Sequence, residues 1–140
     1  MYKLLKIQED IGIVKKNAIN PFLKNKYVSL ESLLIQINPA LKKNKVQLFQ
    51  PLTNVNGRPA ITTMLIEDTG VTGGIVFKDT ITLPDLQDSQ KMGGAITYFR
   101  RYSILSMLGI PVEDDDGNLA SNTVKVKAKV KEIEKEEDPF

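Results

Sequence analysis

Apolar positions recur at two periods along this chain, and the alternation between them outlines the fold. In residues 2–16, Leu4, Leu5, Ile7, Ile11 and Val14 recur near the helical repeat, with lysines between them. Asn20-Pro21 ends that pattern, because proline disfavours helical backbone in the residue before it. Residues 20–28 then read as a basic loop containing Phe22 and Tyr27. Ser29 is a credible N-cap for a second helix reaching about Lys43, whose apolar face is Leu30, Leu33, Leu34, Ile37 and Leu41. Pro39 inside it is expected to kink the helix or end its first part. The period then shifts to two. Residues 46–53, 58–67 and 74–83 read as strands, with Asn56-Gly57 as a tight hairpin signal and Asp68-Thr69-Gly70 as a second turn. Pro84-Asp85 breaks the last strand. Asp88 or Ser89 can cap a long helix over residues 90–108, stopped by Gly109-Ile110-Pro111. The expected class is α+β: an antiparallel three-stranded β-meander with helices packed on one face. Residues 1–119 form the expected core. Residues 120–140 form a low-complexity tail of Lys, Glu and Val, which reads as a Val/Lys alternating strand without an evident partner, as disorder or as a fraying helix.

Composition narrows the chemistry. The 140 residues include no Cys and no His. That removes thiol chemistry, disulfides, the commonest general base and the commonest transition-metal ligand. No apolar run is long enough for a membrane span, and the start does not read as a signal peptide, so a cytoplasmic location is expected. Charge is uneven. Residues 1–112 carry 14 Lys and Arg against 8 Asp and Glu, and four contiguous acids follow at Glu113, Asp114, Asp115 and Asp116. The acidic run lacks the alternating ligands of a calcium loop and reads as a solvated turn. No set of carboxylates suggests a two-metal nuclease. A mildly basic body is compatible with nucleic acid and equally with an ordinary domain.

Two segments carry the functional signal. In QKMGGAITYFRRYSILSML, residues 90–108, a helical wheel puts Gln90, Gly93, Gly94, Thr97, Arg100 and Arg101 on one arc of about 120°. Met92, Ala95, Phe99 and Tyr102 lie opposite, an apolar side expected to pack on the sheet. Adjacent glycines inside a helix cost about 1 kcal/mol each relative to alanine. Two readings of this arc stand side by side. In one, a DNA strand approaches the bare backbone and the arginines hold consecutive phosphates. In the other, the glycines allow close helix–sheet packing beside a solvated basic face. The second segment, Phe22 to Tyr27, interleaves lysines with aromatic rings. That suits an unpaired strand, since cations track phosphates and rings stack on bases. The competing reading makes both rings core anchors.

The same residues resemble the Erf (essential recombination function) family of phage annealing proteins. GGAITYFRRYSILSMLGIPVEDDDG, residues 93–117, is similar to the family's signature helix followed by an acidic run ending in glycine. NPFLKNKYVSLESLL, residues 20–34, resembles its early block. The resemblance implies an ATP-independent protein that binds single-stranded DNA and anneals complementary strands in phage homologous recombination, in a bacterial host's cytoplasm. It also implies a homo-oligomer, as a ring or helical filament, and neither enzymatic activity nor a cofactor. By carry-over, Lys24, Lys26, Tyr27, Arg100 and Arg101 are the DNA-contact candidates. Lys91, at the start of the long helix, and Thr97, on its basic arc, complete the nucleic-acid set. The terminal Asp138, Pro139 and Phe140 look like the acidic tip of bacterial single-strand-binding proteins, a candidate dock for host replication or recombination proteins. The alternative is therefore a passive single-strand binder that recruits host factors through that tip.

Overall fold

A computed structural model describes residues 2–69 and 74–113. Helix α1 (Tyr2–Ile11) buries Ile7. It ends earlier than its periodicity predicts, because Gly12 enters the left-handed region at φ 65° and its amide closes on the Gln8 carbonyl. The expected basic loop contains a small antiparallel hairpin, β1 (Ala18–Ile19) paired with β2 (Lys26–Tyr27). Helix α2 (Leu30–Lys43) starts at Ser29, whose side chain accepts from the Ser32 amide, and it runs through Pro39 without ending there.

Among the described residues the sheet has four strands, not three. β3 (Val46–Phe49) and β4 (Leu52–Val55) both pair antiparallel with β5 (Arg58–Glu67), which pairs on its other edge with β6 (Gly74–Thr82). The first predicted strand is thus cut at Gln50-Pro51. Proline has no amide to donate to the ladder, and only its carbonyl is used, accepting from the Thr62 amide. β4 turns into β5 at Asn56 and Gly57, with φ of 51° and 81°. Positive φ at both positions is the requirement of the tight hairpin turn that Asn-Gly favours. Across β4, β5 and β6, the Thr53, Thr62 and Thr80 hydroxyls form a chain of 3.0 and 2.9 Å contacts, which lets Thr62 be buried without an unmet polar group.

Helix α3 (Ser89–Leu108) is capped by Asp88, which accepts from the Gln90 and Lys91 amides, and by Gly109 in the left-handed region at φ 57°. It lies against β5 and α2, while α1 packs on α2. The principal core joins these layers: Ile7 from α1, Leu33, Ile37 and Leu41 from α2, Val46 and Leu65 from the sheet, and Ile104 and Leu108 from α3. Polar ties lock the N-terminal segment onto the core. The Lys3 ammonium pairs with Glu67 and donates to the Asn44 carbonyl, and Gln8 Nε2 donates to the Leu108 carbonyl. Val14 forms a parallel bridge with Val112 just past α3.

The expectation that α3 presents one apolar face to the sheet and one basic face to solvent needs correction. Its first half buries Ala95, but its second half buries Ile104 and Leu108. These two lie within about 60° of Arg101 on the helical wheel. The buried side of α3 therefore rotates along its length, and the stripe that carries Thr97 and Arg101 runs on into the core. Tyr102, expected against the sheet, is 48% exposed.

Candidate nucleic-acid interface

The hairpin and the long helix meet at Arg101. Its guanidinium carbon sits 5.0 Å from the Tyr27 ring centroid, 5.2 Å from that of Tyr102 and 5.6 Å from that of Tyr98. Tyr98 follows from helical spacing, being three residues before Arg101, and Tyr102 is four residues after Tyr98, with their rings 4.4 Å apart. Tyr27 is delivered by the hairpin. The Asn17 amide bonds the Tyr27 carbonyl at 3.0 Å, while the Asn17 side chain bonds the amide and hydroxyl of Ser29, the α2 cap. The base of the hairpin is thus anchored to α2, and its tip is held by Asn20, whose side-chain oxygen accepts from the Phe22 and Leu23 amides.

At that tip Phe22 is 92% exposed and Leu23 54% exposed, so the reading of Phe22 as a core anchor fails. Tyr27 is half-buried beneath Arg101. Lys24 and Lys26 are both exposed on the same hairpin. Lys24 takes a left-handed backbone at φ 53°, and its amide donates to the Asn20 carbonyl, closing the turn.

The two arginines differ. Arg100 faces the break in the sheet: its Nε donates to Gln50 Oε1 at 3.2 Å, and Gln50 Nε2 donates to the Arg100 carbonyl and to Thr63 Oγ1, both at 3.0 Å. Arg101 faces the hairpin. Thr97 is exposed one turn before Arg101, with its hydroxyl donating to the Gly93 carbonyl at 3.2 Å. Lys91 is exposed in the first turn, about 15 Å along the axis from Arg101 at the helical rise. A Cβ built on Gly93 or Gly94 meets nothing within 4 Å, so close packing against the chain's own sheet is not the reason for these glycines.

The structure brings together Tyr27 and Arg101, places Lys24 and Lys26 on the attached hairpin, and sets Arg100 on the sheet side of α3. Sequence reasoning missed Tyr98 as an Arg101 partner and Gln50 as the link from Arg100 to the sheet. The spacing Tyr98, Arg101, Tyr102 was the available signal for the former. Residues 114–116 and the candidate dock Asp138, Pro139 and Phe140 lie outside the described residues. No helix among the described residues is long and apolar enough to cross a membrane.

Cationic and aromatic side chains joined across a hairpin and a helix are the side-chain types that can meet phosphates and unpaired bases. The chain belongs to the ERF superfamily, whose family model matches residues 1–139. No curated protein and no solved structure matches it. Membership supports a place in recombination and strand annealing.

Proposed function

We propose that this protein binds single-stranded DNA and, without ATP, promotes annealing of complementary strands in phage homologous recombination. The observation that carries this reading is the Arg101 guanidinium 5.0 Å above Tyr27, joining the exposed basic hairpin to α3. A phosphate backbone passing that junction meets Arg101, and the exposed Lys24 and Lys26 add positive charge elsewhere on the attached hairpin. Phe22 offers an exposed ring on which a base can stack, a contact worth about 1–3 kcal/mol. Gripping the strand by its phosphates leaves other bases unpaired and available to a second strand. Thr97, Lys91 and the bare backbone at Gly93 and Gly94 extend the track along α3, and Arg100 adds positive charge from its sheet side. No step makes or breaks a covalent bond. Assembly of copies into a ring or filament would align successive tracks along one strand.

The test mixes labelled complementary oligonucleotides with and without the protein, in the absence of nucleotide, and follows duplex formation. The reading predicts faster annealing that declines as salt rises, because phosphate contacts release counterions. Tight single-strand binding with no acceleration would instead make this a passive single-strand binder, the role to which docking of host proteins through Asp138, Pro139 and Phe140 belongs. Equal binding to duplex and single strands would overturn both.

A further inference from the structure

Beside the Arg101 junction lies an open groove of about 540 Å³, walled by Tyr98, Phe99, Tyr102 and Ser103 of α3 and floored by Phe77 and Asp79 of β6. It exists because α3 lies over β5 and toward α2, while β6 carries the sheet beyond the helix. Tyr98 and Tyr102 serve both places: they line the groove and hold the Arg101 guanidinium. We infer that this groove is a nucleobase pocket, which takes a base bearing an exocyclic amino group from the strand held at Arg101. The inference rests on the single-strand reading above and adds a base preference to it.

Three observations point this way. The volume falls within the range of small-molecule sites, about 300–1,000 Å³, and admits a base with its sugar. The walls are aromatic, and Tyr102 is 48% exposed, so part of its ring surface is within reach of a base. The charged group in the groove is a carboxylate: Asp79 stands opposite Thr63 in the β5–β6 register, on the side of the sheet that α3 covers. A carboxylate repels phosphate, so the backbone stays outside with Arg101. A carboxylate also accepts hydrogen bonds only, which matches the N4 amino group of cytosine and mismatches the O4 carbonyl of uracil.

The experiment measures binding of oligo(dC) and oligo(dU) of equal length to the full chain, by fluorescence anisotropy at one salt concentration. The two polymers carry the same phosphates and differ at the base edge. The wild type should favour oligo(dC) by about fivefold or more, the range of one good base-edge contact. Asp79→Asn should bring the ratio close to one, because an amide can turn either a donor or an acceptor to the base. Removing the negative charge raises affinity for both polymers, and the ratio cancels that effect. Asp79 is exposed, so circular dichroism of the variant should match the wild type. Equal affinities in the wild type, or an unchanged ratio in Asp79→Asn, would overturn the pocket while leaving single-strand binding standing. Failure to bind either polymer would overturn the single-strand reading and the pocket with it.

Discussion

Arg101→Ala tests whether the hairpin and α3 act as one unit. The guanidinium lies within 5.0–5.6 Å of three tyrosine centroids. A cation over an aromatic ring contributes about 0.5–1 kcal/mol when exposed and about 2 when desolvated. Arg101 and Tyr27 are both half-buried, so the Tyr27 contact alone should be worth about 1 kcal/mol. A double-mutant cycle with Tyr27→Leu isolates it, since the Tyr98 and Tyr102 contacts cancel between the two arms. Chemical denaturation of the wild type, both single variants and the double variant should yield a coupling energy of about 1 kcal/mol. The same Arg101→Ala variant should bind single strands less tightly, with a salt dependence shallower by about 0.7 in log–log slope, the value for one lost phosphate contact. Arg101→Lys keeps the charge but loses the planar group, so it should recover the slope better than the coupling. A coupling energy indistinguishable from zero, or an unchanged salt slope, would refute the reasoning.

Three further outcomes follow from the geometry. Gly93→Ala and Gly94→Ala have room for the added methyl, so each should stabilise the isolated protein by about 1 kcal/mol in denaturation; if a strand approaches that backbone, annealing should slow in the same variants. Phe22→Ala should leave the thermal midpoint within error, because the ring is 92% exposed, yet weaken single-strand binding by about 1–3 kcal/mol in titrations. The Asp10 carboxylate accepts from Asn44 Nδ2 at 2.9 Å and from Lys43 Nζ at 3.1 Å, which holds its pKa below the ordinary aspartate value. A depressed folded-state pKa contributes stability above the ordinary aspartate range and loses it as pH falls through the lowered value. Thermal midpoints of wild type and Asp10→Asn should therefore differ most near neutrality and converge in acid.

Much of this architecture was legible because period and punctuation agreed. Ser29, Asp88 and Gly109 mark helix ends for reasons of capping, and Asn56-Gly57 fixes a turn that few other pairs can make. The break at Gln50-Pro51 is not legible in the pattern, since alternation continues across it and the deciding fact is Gln50 reaching across to Thr63 and Arg100. The hairpin at residues 18–27 leaves no periodic signal, because its strands are two residues each. A single helical wheel assumes one partner, whereas α3 crosses from the sheet to the core beside α2, so its buried side is only partly legible in the pattern. Tyr27 and Arg101 were both singled out in the sequence, and only the fold joins them.

The central claim, that an unpaired strand lies across the hairpin–α3 junction, is tested most directly by ultraviolet cross-linking of the full chain to oligo(dT), with the modified residues mapped by mass spectrometry. The account predicts adducts at Phe22 and Tyr27, with Tyr98 or Tyr102 beside them, all lost on adding excess unlabelled single strand. Adducts confined to Phe49 and the sheet face opposite α3, with the hairpin untouched, would contradict it.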